Sequence, residues 1–160
     1  MKKISVLMVC MGNICRSPMA HGYFEHLVCE AGLADRIQVD SAGTHAYHIG
    51  KQPDSRAQET SKRHGIDLSV QRARKAVRED FLLFDYILAM DRDNYSLLSE
   101  LCPEGQEHRL RLFMEFAPHM AEREVPDPYY GGAEGFERVF DMVEAAAAGL
   151  LEDIRSRHGV

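Results

Sequence analysis

Nine residues, Cys10-Met11-Gly12-Asn13-Ile14-Cys15-Arg16-Ser17-Pro18, constrain this chain more than any others. They follow a short apolar run, Ile4, Val6, Leu7, Met8 and Val9, with the length and composition of a buried strand. They lead into sequence of helical period. Ser17 is a favoured N-cap type and Pro18 suits a first helical position, so the helix is expected to start there. Gly12 and Asn13 are the residue types that most readily take positive φ. A strand–loop–helix turn of this kind aims successive backbone N–H groups at one point and adds the positive end of the helix dipole. The expected product is an anion-binding cup that a cysteine opens and an arginine closes. A Cys followed six positions later by an Arg is weak evidence alone, since Cys10 can be a packed thiol and Arg16 a surface charge. The strand before, the Gly-Asn turn inside and the Ser-Pro start after give the spacing its meaning.

The rest of the chain alternates. A first helix is expected from about Pro18 to Ala31, stopping at Gly32, with Ala20, Tyr23, Phe24, Leu27, Val28 and Ala31 on its buried face. Ile37–Ser41 reads as a second strand, followed by a loop through Tyr47. A second helix starts near Asp54 or Ser55, where Ser55 and Gln58 have capping-box spacing, and ends at Gly65. Residues 66–78 are irregular and basic, either a solvated loop or a rim that favours acidic substrates. Residues 79–84 suggest one or two helical turns. Residues 85–90, ending before Asp91, read as a buried parallel strand. Residues 92–101 are helical, and 109–113 alternate like an edge strand. The clearest amphipathic helix runs from about Ala133 to Arg157. About four strands alternating with helices imply an α/β fold. The expected form is a four-stranded parallel sheet with helices on both faces, a flavodoxin-like three-layer sandwich with the phosphate-binding loop after strand 1. Ligands in such sheets sit at the carboxyl ends of the strands, where Cys10, Ser41 and Asp91 are all expected.

Bulk properties exclude several classes. With 160 residues and no linker-like stretch or repeat, one domain over residues 1–160 is expected. The net charge of −6 argues against nucleic acid or an anionic membrane as partner, so any phosphate site must be built locally. No stretch approaches a spanning helix, and the basic start Met1-Lys2-Lys3 leads into a strand rather than a signal peptide. The four cysteines, Cys10, Cys15, Cys29 and Cys102, show neither C-x-x-C nor zinc spacing. Reduced thiols in a cytoplasmic protein are expected.

Chemistry follows from the cup. Converging amides, a helix N-terminus and Arg16 all favour a thiolate at Cys10, and Ser17 can donate its hydroxyl to the same sulfur. With phosphate in the cup, the sulfur lies behind the phosphorus, and Arg16 can hold two equatorial oxygens at once. The missing part is an acid for the leaving oxygen. Asp127, between Pro126 and Pro128, is the best candidate, although Asp and Pro also favour plain turns and local chemistry leaves the two readings level.

These residues resemble the low-molecular-weight protein tyrosine phosphatases. The signature V-C-x-G-N-I-C-R-S-P stands as Val9 to Pro18 and D-P-Y-Y-G as Asp127 to Gly131. Asp40-Ser41, Asp54, Arg63-His64-Gly65-Ile66, Phe84 to Leu88 and Met90-Asp91 also fit the pattern. The resemblance implies hydrolysis of protein phosphotyrosine and small aryl phosphates through a phosphocysteine, with no cofactor or metal, inorganic phosphate as product, and a monomer. Cys10 is then the nucleophile, Arg16 the transition-state stabiliser and Asp127 the general acid and base. Met11, Gly12, Asn13, Ile14, Cys15, Arg16 and Ser17 would bind the phosphoryl group. Asn13, Ser17, Ser41 and His64 would hold the loop in shape. Tyr129 and Tyr130 would wall the cleft, with Tyr47 opposite where the family often carries Trp. Cys15 would pair reversibly with Cys10 and guard it from overoxidation. Rival readings are arsenate reductase, which needs further paired redox cysteines, and phosphoarginine phosphatase, whose known members carry Thr at the place of Ile14. A phosphocarrier is a third, but it has no use for a rigid acid at Asp127.

Overall fold

In the computed structural model, which describes residues 2–129 and 132–160, the run from Ile4 to Cys10 is buried at every position. Alternate residues of a strand face opposite sides, so a strand covered on both faces must be apolar throughout. This strand, β1 (Ile4–Cys10), sends Ile4, Val6, Met8 and Cys10 into one core and Leu7 and Val9 into another. It lies inside a parallel sheet of order β2-β1-β3-β4, with β2 at Ile37–Gly43, β3 at Tyr86–Ala89 and β4 at Leu110–Leu112. The register runs from Ile4 opposite Ile37 to Cys10 opposite Gly43, and from Val6 opposite Tyr86 to Val9 opposite Ala89. The carboxyl ends of β1, β2 and β3 therefore lie side by side.

Helices cover both faces, so the expected three-layer α/β architecture is the one observed. On one side α1 (Arg16–Glu30), α2 (Ser55–Arg63) and α5 (Ala133–His158) bury Met19, Phe24, Ala57, Phe136, Phe140 and Leu150. On the other, α3 (Asp80–Leu83) and α4 (Arg92–Leu101) bring Phe81 and Leu98 onto Leu7, Val9, Ile87 and Ala89. At Gly149 of α5 an added Cβ would lie 1.8 Å from the Phe116 carbonyl oxygen, so the helix approaches that backbone as only glycine permits. Among the described residues no helix is long and apolar enough to cross a membrane.

Three local expectations change. Helix α1 starts at Arg16, not Pro18, and Ser17 does not cap it. The Ser17 hydroxyl is engaged by Cys10 and Asn13, and Pro18 still fits because the N–H groups of a first turn have no helical acceptor. Helix α2 is capped by Asp54, whose side chain accepts from Arg56 N–H. The Gln58 amide donates to the Pro53 carbonyl rather than closing a box at Ser55. The irregular basic segment keeps Arg72, Lys75 and Arg78 exposed as a solvated loop would, but its middle is anchored. Gly43 N–H donates to the Arg74 carbonyl and Ala76 N–H to the Gly43 carbonyl, which lays this stretch along the end of β2.

Candidate active site

Cys10 is the last residue of β1 and is 2% exposed. The chain leaves it through a loop whose mouth is tied to the end of β2, with Thr44 N–H on the Cys10 carbonyl and His45 N–H on that of Met11. An added Cβ on Gly43 would stand 2.8 Å from the Met11 carbonyl oxygen, so this glycine lets the loop lie on the strand end. Asn13 takes the left-handed conformation, φ 58°, and turns the chain. Among the described residues none accepts from the backbone N–H groups of Gly12, Asn13, Ile14 or Cys15. Four uncommitted amides in one turn, at the start of a helix, make an anion cup.

A buried network holds that turn. The Asn13 side-chain amide donates to Ser17 Oγ at 2.8 Å and to Ser41 Oγ at 3.0 Å, while its oxygen accepts from Arg74 N–H at 3.0 Å. Since Ser17 Oγ already accepts from Asn13, its own proton is left for Cys10 Sγ at 3.1 Å or the Ala42 carbonyl at 3.5 Å. Ser41, accepting from Asn13, likewise has its proton for His21 Nδ1 at 3.3 Å. His21 Nε2 faces Glu25 at 3.5 Å, which fits that tautomer.

Arg16 is 2% exposed. Its Nη1 donates to Asp91 at 2.6 Å and to the Val125 carbonyl at 2.9 Å, and its Nη2 stands 3.7 Å from Asp127. Burial disfavours the charged guanidinium, but charge at Cys10 and the Asp91 bond outweigh it and hold its pKa above the ordinary value. Asp91 follows β3 and also caps α4 through Asn94 N–H. Asp127 sits on a segment fastened to the end of β3 by Val125 N–H on the Met90 carbonyl. Its other oxygen accepts from Tyr129 N–H at 3.0 Å, and its side chain is 35% exposed.

Cys10, Cys15, Arg16, Asp127, Tyr47 and Tyr129 line one cleft of about 280 Å³, together with His48. Tyr47 stacks on His45 at 5.1 Å, and Tyr129 lies under the Arg56 guanidinium at 5.2 Å. Burial pushes the Cys15 thiol far up, with Asp54 and Cys10 adding to it, so Cys15 stays a thiol beside Cys10. Asp54 N–H donates to the Ile14 carbonyl, and its carboxyl is held below the usual range by the Arg56 hydrogen bond.

One expected residue is misplaced. His64 does not hold the loop: it bonds to Glu137 of α5 at 3.0 Å and stacks on Phe140 at 3.9 Å between ring centres. At the end of α2 it faces the neighbouring helix, and His21 takes the position beside Ser41. Tyr130 lies outside the described residues. His21, Arg74, His48 and the Arg16-holding side of Asp91 were not expected. His21 was within reach, because it stands one helical turn past Ser17 and shares its face. Among the described residues no group of three or more His, Cys, Asp or Glu is placed to hold a metal ion.

Comparison with known proteins agrees with this geometry. The family model described as low molecular weight phosphotyrosine protein phosphatase matches residues 5–159. A relative of that description from Schizosaccharomyces pombe is 46% identical over 96% of this chain and 98% of its own. The human relative of the same description is 40% identical over 92% of this chain and 94% of its own. A crystal structure of protein tyrosine phosphatase from Entamoeba histolytica superposes with a TM-score of 0.92 at 41% identity, covering 98% of this chain and 99% of that one. This chain belongs to the low molecular weight phosphotyrosine protein phosphatase family.

Proposed function

We propose that this enzyme hydrolyses protein phosphotyrosine and small aryl phosphates through a phosphocysteine intermediate. The observation that carries the reading is the meeting of Cys10, Arg16 and Asp127 in one cleft with tyrosine walls. The phosphoryl group sits in the cup with its oxygens on the loop amides and the Arg16 fork. Cys10 Sγ attacks phosphorus as a thiolate while the bond to the phenolic oxygen breaks, and protonated Asp127 gives its proton to that oxygen. Asp127, now a carboxylate, takes a proton from water as the water attacks the phosphocysteine. Phosphate leaves and the thiolate returns, accepting the Ser17 hydroxyl proton in a hydrogen bond. The amides and Arg16 act electrostatically, on charge that spreads over the equatorial oxygens. Asp91 and the Val125 carbonyl fix one arm of the guanidinium and leave the other for substrate, so they are positioning groups. Tyr47 and Tyr129 suit a phenyl ring by stacking.

Hydrolysis of p-nitrophenyl phosphate without added metal tests the reading. Cys10→Ser should be inactive, and Asp127→Asn should lose about 10²- to 10⁴-fold in kcat. Acid quench of wild-type turnover should trap phosphate on Cys10. Full activity of Cys10→Ser refutes the proposal. Hydrolysis of phosphoarginine faster than of phosphotyrosine would move the substrate assignment and leave the nucleophile in place.

A further inference from the structure

Beyond Asp127 the cleft opens into a second hollow of about 540 Å³, which shares Met11, Arg16 and Asp127 with the first. A protein substrate with its phosphotyrosine in the cup must pass chain across one of the cleft edges, and this hollow lies at one of them. Its new lining comes from α4 and from the loop after β2: Asp93, Asn94, Leu97 and His45. The acceptors there outnumber the cations. The charge of Arg16 is met by Asp91 and Asp127. Arg92, beside Asp93, is engaged by Glu124 through both its backbone and its guanidinium. Asp93 is exposed and has no ion-pair partner among the described residues. Asn94 is 2% exposed, and its Oδ1 is buried with no hydrogen-bond donor. Met11 and Leu97, both partly exposed, offer apolar surface for a methylene stem.

We propose that this hollow binds an arginine or lysine side chain near the phosphotyrosine of the substrate protein, and so sets a preference for phosphotyrosines in basic surroundings. The proposal rests on the phosphatase reading and names its substrate class. The guanidinium carries donors and no acceptor, which matches the exposed Asp93 carboxylate at the rim of the hollow. An acidic residue at the same place would face the Asp93 carboxylate, which has no ion-pair partner among the described residues.

The test uses alanine-based peptides with one phosphotyrosine and Arg, Ala or Glu at each of the two residues on either side in turn. Phosphate release gives kcat/KM. At one of these positions the wild type should favour Arg over Ala by about fivefold, the scale of a partly exposed ion pair, and Arg over Glu by more. Asp93→Asn should abolish the preference, and Asp93→Lys should reverse it towards Glu. Both variants should hydrolyse p-nitrophenyl phosphate within twofold of wild type, since Asp93 touches neither the cup nor the acid. Equal rates for Arg, Ala and Glu peptides at every position overturn the proposal, as does a basic preference that survives Asp93→Lys. Failure of the wild type on p-nitrophenyl phosphate counts against the phosphatase reading instead.

Discussion

Asn13 is the residue on which the shape of the cup depends, and replacing it has a calculable effect. Its side chain makes three hydrogen bonds, to Ser17, Ser41 and Arg74 N–H, and it is 2% exposed. Each such bond contributes about 1 kcal/mol net, and the partners left behind are buried. Its backbone is left-handed at φ 58°, a conformation that costs alanine about 1 kcal/mol more than asparagine or glycine. Asn13→Ala should therefore destabilise by about 4 kcal/mol and lower Tm by about 10 °C in a chain of this size. Asn13→Gly removes the same three bonds but relieves the backbone, so it should be about 1 kcal/mol less damaging. Neither variant should recover kcat, because Ser17 and the loop amides lose their fixed places; the loss should reach about 10²-fold. Thermal melts and p-nitrophenyl phosphate kinetics on the two variants read both quantities. If Asn13→Ala melts within 2 °C of wild type and keeps its kcat, the loop is not held by these three bonds. If Asn13→Gly restores kcat, backbone conformation matters and the network does not.

Four further outcomes follow from the same geometry. Asp91→Asn keeps an N-cap for α4 but removes the carboxylate charge that holds Arg16, so kcat should fall about 10- to 100-fold with little change in KM; a change confined to KM would contradict the positioning role. Gly149→Ala drives a Cβ into the Phe116 carbonyl, which must move, and should destabilise by about 3 kcal/mol in denaturant titration; a stability near wild type would mean α5 can slide freely. The Asp54 carboxyl is held below its unfolded pKa by Arg56, so its contribution is present above about pH 4 and is lost as pH falls through the folded value. Asp54→Asn should be less stable than wild type at pH 7, with the gap closing in acid; a constant gap from pH 7 to acid would refute the link. For the redox guard that the family resemblance implies, peroxide should oxidise the Cys10 thiolate to a sulfenic acid and itself be reduced to water. The Cys15 thiol then displaces water to form the disulfide, so activity should return with dithiothreitol and thiol mapping should show the pair. Sulfonate at Cys10 with Cys15 untouched would exclude it.

Legibility in the sequence followed separation along the chain. The cup was readable because strand, turn and helix start lie within fifteen residues and each has a local signature. Helix α5 was readable because its apolar period runs for seven turns, and β1 because an apolar run too short for a helix implies burial on both faces. Arg74 was not readable as a support of Asn13. The bond spans 61 positions and uses a backbone N–H, which no side-chain type announces. The guanidinium of Arg74 is likewise taken up by Asp40 and Asp80, so a stretch that reads as a basic rim spends this charge on the fold. His64 was misread for a related reason. A helix end fixes a residue's position along the axis, but which neighbour it meets depends on packing, and here the neighbour is Glu137 at 73 positions' distance.

The two halves of the site are held by different means, and the difference suits their tasks. Asn13, Arg16, Ser17 and Ser41 are all at most 4% exposed; Asn13 holds both serines and Arg16 is held by Asp91 and the Val125 carbonyl, so the cup is fixed before substrate arrives. That arrangement suits stabilisation of charge, where donors must not have to reorganise. Asp127 is a third exposed and is held by one turn hydrogen bond, the prolines around it and a 3.7 Å approach to Arg16. A group that gives a proton in one step and takes one in the next must meet a phenol and then water at the same place. Partial exposure gives water that access, and burial as deep as the cup's would deny it. On the proposed mechanism the rigid half therefore contributes to both stability and rate, whereas Asp127, the proposed acid, is anchored only as far as proton transfer needs.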